Sequence, residues 1–354
     1  MRFLLIGSVL VMAARARAEE PAADARSVGL LTYADASTRH PVKTPAEWAK
    51  RRAEILKNME AVMGPMPTIT RPPLDVKYVA EEKFPTYTRR KLTFAAGPQN
   101  NRVSAYLLMP VKVANQTPAI ICLHPTSKDF GKGIPAGLGG KASQHYAVHL
   151  AERGYIALAP DYVHSGGYNF DPYDNGFISA TMLGIWNHRA CVDFLQSLPE
   201  VDKDNIGVIG HSLGGHNSLF VAAFEPRIKA AVTCCGYCSF PTYKKGNLAG
   251  WSHAGYMPRI KTVYENKPEK MPFDFPEVLA VIAPRAVMTV APIHDDNFDV
   301  GGAKACVAAA RPVFELLGAA DRLTAIYPDA AHDFPDDARA AAYAFFGRNL
   351  KRTP

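Results

Sequence analysis

Between residues 87 and 350, short and largely apolar blocks alternate with longer stretches of helical spacing, the pattern of strands followed by helices. Ala119–His124 is almost wholly apolar, as expected of a strand covered on both faces. Tyr155–Pro160, Ile206–Ile209, Ile228–Cys234, Ala286–Ala291 and Leu323–Tyr327 read as further strands. Helices are predicted at Ala142–Arg153, at Ala180–Leu198, and near 302–317 and 336–349. Tyr87–Ala95 and Val103–Pro110 precede this series as an antiparallel pair. The order predicts an α/β fold, with a mostly parallel central sheet and helices on both faces.

An earlier helix carries strong punctuation. Thr44 can cap it, Pro45 suits its first turn, and Glu47 completes a capping box. Trp48, Ile55, Leu56, Met59, Val62 and Met63 recur at helical spacing, and Gly64 ends the run. Residues 19–43 show no clear period and read as an extended tail. The expected organisation is therefore a tail and helix over 19–86, packed on a main domain over 87–350. Ser239–Pro276 is too long for an ordinary connection, so it is either functional, as a roof over a pocket, or an excursion with its own short structure.

Composition changes little in this picture. The chain has 354 residues, 48 % of them apolar and 21 % charged, which is ordinary globular usage. Residues 1–18 read as a secretory signal peptide: Arg2 in front, an apolar stretch from Phe3 to Ala14, and a small-x-small site at Ala16-Arg17-Ala18. The mature chain would start at Glu19 and reside in the periplasm or outside the cell, with no stable membrane insertion. Cleavage would remove Arg2, Arg15 and Arg17 and lower the formal charge from +7 to +4. No basic run with interleaved aromatics accompanies that charge, so nucleic acid is not an expected partner. Six cysteines are permitted disulfides by such a location. A single C-x-x-C lacks the second half of a zinc site, so no metal is expected.

The chemistry is carried by Gly210-His-Ser212-Leu-Gly214. It follows the apolar strand Ile206–Ile209 and precedes the helix-compatible run Asn217–Phe224. A serine on a sharp strand-to-helix turn needs glycines on either side, because side chains there would strike neighbouring backbone. Serine is a weak nucleophile and needs a base, expected after the last strand, with an acid after the strand before it. His332 holds the first position; its rival His294 lies where the acid is expected. Asp295 and Asp296 compete for the acid; Asp295 comes first after the strand and is preferred, with Asp299 a distant third. The oxyanion would be held by the amides of Leu213 and of Thr126, since Pro125 has no N–H. His124 reads as a brace for that loop.

Together these residues resemble the α/β-hydrolase superfamily, and within it the acetyl-xylan-esterase and dienelactone-hydrolase-like branch. Besides the serine motif, the resemblance rests on Leu123-His-Pro-Thr126 with Gly131-Lys132, Ala159-Pro-Asp161, Trp186 with Arg189, Trp251 with Tyr256-Met-Pro-Arg259, and Asp295-Asp-Asn-Phe298. It implies an α/β-hydrolase fold with an N-terminal helical extension and a Ser212–Asp295–His332 triad. In that branch the acid is the first residue of an Asp-x-Asn-Phe stretch, which favours Asp295. Dienelactone hydrolases proper use cysteine where Ser212 stands, so ester hydrolysis in general is implied, with a carbohydrate or small-molecule ester as substrate and no cofactor. Pro125 replaces the glycine or glutamine of many relatives. Trp251, Tyr256 and Arg259 are candidate substrate contacts. A peptidase or amidase, and a non-catalytic module of the same fold, are the alternatives.

Overall fold

A computed structural model of the protein describes residues 29–35, 38–97, 100–113 and 116–350. The predicted leader at 1–18 lies outside them. In chain order the strands and α-helices are β1 (Thr32–Asp35), β2 (Thr38–Pro41), α1 (Pro45–Met63), β3 (Lys77–Lys83), β4 (Tyr87–Ala95), β5 (Arg102–Pro110) and β6 (Thr117–Leu123). They continue with α2 (Tyr146–Glu152), β7 (Ile156–Pro160), α3 (Ala180–Ser197), β8 (Val201–His211), α4 (Leu213–Phe224), β9 (Ile228–Cys234) and α5 (Arg259–Thr262). Last come α6 (Phe275–Ala280), β10 (Ala286–Val290), α7 (Val300–Leu316), β11 (Leu323–Ile326) and α8 (Asp336–Asn349).

Nine strands form one mixed sheet in the order β11-β10-β9-β8-β6-β7-β5-β4-β3. β3, β4, β5 and β7 pair antiparallel in succession, and the remaining pairs are parallel. From β6 the chain steps one way to β7, then reverses to β8 on the other side of β6. Right-handed crossovers therefore put α2 on one face and α3 on the other. α3, α4, α6 and α7 pack in sequence on the second face, while α8 joins α2 on the first, where His149 Nδ1 meets the Tyr343 hydroxyl at 2.9 Å. The reversal also opens a crevice between the C-terminal ends of β6 and β8.

Two expectations need correction. Thr32–Asp35 and Thr38–Pro41 are an antiparallel strand pair, where an extended tail was expected. Tyr33 and Val42 are buried against α1, and the amide of Ala34 donates to Glu54 Oε1 of that helix at 2.5 Å. The pair is thus stabilised by a partner that local sequence does not display. The sheet also begins at β3, ahead of the expected boundary at residue 87. Every residue of β3 is exposed, so its sequence carries no alternation, and its Lys and Glu side chains suit an edge that must not recruit another strand.

α1 is a structural strap. The Thr44 hydroxyl accepts from Glu47 N at 3.2 Å and Glu47 Oε2 accepts from Lys43 N at 2.8 Å, which fixes its start. Ile55, Met59, Val62 and Met63 are fully buried, each contributing about 1.5–3 kcal/mol by area transfer. Arg52 donates to Val281 O at 2.8 Å and to Ala223 O at 3.1 Å, and Asn58 to Pro272 O at 3.0 Å. Arg285 bonds Ala222 O at 2.6 Å, Ile228 O at 2.9 Å and Glu225 O at 3.0 Å. Two guanidinium groups thus satisfy the orphan carbonyls at the C-terminus of α4, where cations are also favoured by the helix dipole. No described helix is long and apolar enough to cross a membrane.

The helical layers enclose several neutral imidazoles. Burial lowers His188, His211 and His216 to about 3 and His149 to about 4. Charge on His332 adds to the effect at His211, and Arg339 and Arg153 add to it at His149. Below the ordinary histidine value of 6.5 the unfolded chain binds protons that these folded sites refuse. Stability is accordingly full above that value and falls as pH drops toward 4, by up to about 1.4 kcal/mol per histidine per pH unit. Urea unfolding along a pH series is expected to show this loss starting near 6.5; a flat profile down to the carboxylate range would refute it. Arg285→Ala is expected to cost about 2–4 kcal/mol in the same assay, with Arg285→Lys recovering less than half.

Candidate active site

Five loops leave the C-terminal ends of the neighbouring parallel strands β6, β8, β9, β10 and β11 and converge. Register does this: Leu123 of β6 lies beside Gly210 of β8, His211 beside Cys234 of β9, and Val290 of β10 beside both Cys234 and Ile326 of β11. The strands stop nearly level, so whatever follows each one meets at a single edge.

Ser212 stands between β8 and α4 with φ 55° and ψ −117°. A non-glycine residue there costs roughly 1–3 kcal/mol and persists only where its surroundings impose it. Its amide donates to Cys234 O at 2.9 Å, and its carbonyl accepts from His216 N at 2.9 Å. The next turn of backbone is pressed against β6. A Cβ on Gly214 would lie 1.9 Å from Leu123 O, and one on Gly210 would lie 2.2 Å from the Gly214 carbonyl. Both glycines of the motif are steric necessities.

His332 follows β11 and faces the loop after β10. Its Nδ1 lies 2.9 Å from each carboxylate oxygen of Asp295. The Asp295 side chain is 1 % exposed and that of His332 26 %. Burial pushes Asp295 up, and the His332 bond and charge with the amides of Asn297 and Phe298 more than offset it, so the carboxyl stays below its ordinary value. An Nδ1–H donated to Asp295 leaves Nε2 as the free acceptor. The competing acids are placed elsewhere: Asp296 is exposed, and Asp299 caps α7 by accepting from Gly302 N at 2.6 Å. His294 is exposed and pairs with Asp329 at 2.8 Å. The His332 loop is itself anchored, since Asp333 accepts from Ser143 at 2.7 Å and from Lys141 at 3.1 Å.

The loop after β6 is braced from beneath. His124 accepts from Tyr162 N at 3.0 Å through Nε2, and its Nδ1 is 2.7 Å from Pro125 O. Burial holds this imidazole below its ordinary value, so it stays neutral. Further along, Lys132 Nζ bonds Asp161 Oδ2, and the Lys132 amide bonds Asp161 Oδ1 at 2.9 Å, with both side chains nearly inaccessible. A Cβ on Gly166, whose φ is +58°, would lie 2.0 Å from that carboxylate. Breaking so enclosed a pair leaves an uncompensated charge, at about 3–5 kcal/mol. Sequence reasoning had noted Lys132 and Asp161 without assigning them a role, because nothing local tells that residues 29 positions apart form a pair. Thr126, at the exposed crest of the braced loop, has an amide without an acceptor among the described residues. Leu213 opens α4, where the first amides have no intrahelical acceptor.

The three roof residues fare differently. Trp251 is 2 % exposed and packs among His216, Tyr243, Tyr256, Phe275 and Phe298, which leaves no open face for a sugar to stack on. Its expected ligand role is corrected to packing: it sets the position of Phe298, whose ring is 5.9 Å from that of His332. Tyr256 is half-buried, its ring edge-on to those of His216, Trp251 and His253. Arg259 donates to Ala61 O at 2.8 Å and ties the roof to α1.

Comparison with known proteins agrees with this architecture. The protein named "Putative hydrolase YtaP" from Bacillus subtilis (strain 168) is 25 % identical over 282 residues, covering 76 % of this chain and 90 % of its own. A 4-O-methyl-glucuronoyl methylesterase of Phanerochaete carnosa (strain HHB-10118-sp) is 24 % identical over 339 residues, 88 % of this chain and 78 % of its own. The solved glucuronoyl esterase from Solibacter usitatus superposes with a TM-score of 0.72 at 19 % identity, covering 91 % of this chain and 97 % of that one. The Abhydrolase_7 model, an abhydrolase family, matches residues 33–317, and with the sheet order and elbow described above the chain belongs to that family of α/β-hydrolases.

Proposed function

We propose that the protein is a serine esterase of carbohydrate esters, with Ser212 as nucleophile, His332 as base and Asp295 as the acid that orients it. The observation that carries this reading is the Asp295–His332 bond, 2.9 Å to both oxygens, on the loops beside the strained Ser212 turn. Asp295 holds the proton on Nδ1, so Nε2 can take the Ser212 hydroxyl proton as oxygen attacks an ester carbonyl. The Leu213 and Thr126 amides then receive the oxyanion, an arrangement in which each donor is worth about 3–4 kcal/mol in comparable sites. The alcohol leaves with the proton from His332, and water repeats the sequence on the acyl-enzyme. No step calls for a metal or organic cofactor.

The substrate class is supported by the relatives named above, two of which are glucuronoyl esterases, and by the resemblance to acetyl xylan esterases. These differ in which side of the ester carries the sugar, not in the chemistry at Ser212. The leader at residues 1–18 supports action outside the cytoplasm, where such esters are met. Purified protein should release acetate from acetylated xylo-oligosaccharides or methanol from a methyl glucuronate ester. Ser212→Ala is expected to lose at least about 1,000-fold in kcat/KM while its urea unfolding stays unchanged. Full activity in that variant, or no hydrolysis of either ester by the parent, would overturn the proposal.

A further inference from the structure

Directly behind the Asp295–His332 pair lies a cluster of donors that hydrolysis does not use. Cys234 ends β9, where successive side chains should point to opposite faces. Cys235 breaks the alternation with φ +49°, and its sulfur lies 3.6 Å from that of Cys234. Both thiols donate to Asp333 O at 3.5 Å, which holds the two sulfurs on the same side. The third member is His211, 2 % exposed, whose two ring nitrogens have no hydrogen-bond partner among the described residues. A ring nitrogen of His211 and the two sulfurs all lie within 4.8 Å of one another. All six cysteines are free and buried, so neither sulfur is committed to a disulfide. The C-x-x-C noted in the sequence is not the relevant pair: the set comes from adjacent cysteines and the residue before the nucleophile.

We infer that His211, Cys234 and Cys235 form a binding site for a soft divalent cation of the Zn²⁺ type, whose occupation disables His332. In a tetrahedral site with metal–sulfur bonds of about 2.3 Å, neighbouring sulfurs sit about 3.8 Å apart; here they are 3.6 Å apart without rearrangement. Neutral imidazole and thiolates are the preferred ligands of such an ion, and an orphaned buried imidazole gains a partner it otherwise lacks. On binding, each thiol releases its proton to solvent and forms a sulfur–metal bond, while His211 donates a lone pair with no proton change. The fourth position falls toward the catalytic pair. Cys235 Sγ also lies within 4.8 Å of an Asp295 oxygen and a His332 nitrogen, which likewise lie within that distance of each other. The His211 and His332 rings are 4.9 Å apart. An ion held by the three buried ligands therefore lies beside the Asp295–His332 bond, competes with it for the carboxylate, and leaves the imidazole without the partner that orients it.

The inhibitory half rests on the esterase reading; the binding half does not, and the test separates them. Fully reduced protein is titrated with Co²⁺ and followed for the thiolate-to-cobalt charge-transfer band in the near ultraviolet. One equivalent is expected to saturate the band. Cys234→Ser and Cys235→Ser, shown to be folded by urea unfolding, should each weaken Co²⁺ at least as much as the roughly 10- to 100-fold seen when outer-shell partners are removed elsewhere. Zn²⁺ should inhibit ester hydrolysis in the parent, and the concentration for half inhibition should rise by a similar factor in Cys234→Ser, each variant measured against its own metal-free rate. Absence of the band in reduced parent protein overturns the site, whatever the enzyme does. A band with no loss of hydrolysis overturns the link to His332. Hydrolysis absent even without metal overturns the esterase reading and leaves the cobalt result to decide the site alone.

Discussion

The contact between Gly214 and the last carbonyl of β6 is the constraint on which the rest of the site depends. With a Cβ at 1.9 Å from Leu123 O excluded, the first turn of α4 can press against the neighbouring strand end, and Ser212 is forced into its positive φ. The same closeness keeps the Leu213 amide and the loop beginning at His124 on the two sides of one crevice. Tyr146 adds a lock by donating its hydroxyl to that same Leu123 carbonyl. A turn so tightly closed cannot relax by small shifts, because protein interiors transmit strain before they absorb it.

Around that contact the supports are polar, and each secures a different loop. Lys132 and Asp161 hold the segment after β6, Ser143 and Lys141 hold the His332 loop through Asp333, and Asp295 holds the imidazole itself. Buried charges of this kind contribute modest net stability compared with apolar residues of similar size, but they admit one geometry only. That is the property a reactive constellation needs, since rate falls steeply with misplacement of its groups. The roof follows the same logic with aromatic packing, Trp251 acting on Phe298 and Phe298 on His332.

How much of this was readable in the chain depends on the range of the interaction concerned. The elbow was legible because its requirement is local: glycine, serine and glycine around one turn, after an apolar strand. The order of strands was legible because each buried strand is a self-contained apolar run. Asp295 was favoured over Asp296 by its place directly after the strand and by family resemblance, but adjacent carboxylates look alike until the loop is folded. β1 and β2 escaped notice because they are short and rest on α1 with no apolar alternation of their own, and β3 because its residues are wholly exposed. Trp251 was misjudged for the reverse reason: an aromatic in a long loop looks available until its neighbours, Phe275 and Phe298 among them, are seen to enclose it.

The strap formed by α1 has a consequence for how the chain comes to be made. Its apolar stripe, Ile55, Met59, Val62 and Met63, is fully buried in the common core. Its polar ties reach Ala223, Arg259, Pro272 and Val281. A polypeptide that emerges N-terminus first therefore carries this helix with the β1–β2 pair against it but without its later partners until the segment from Ala223 to Val281 has followed. Contacts of such long separation slow folding and leave sticky surface on display in the interval. Truncation from the C-terminal side would take away the carbonyls of Ala223, Pro272 and Val281 that tie this helix down.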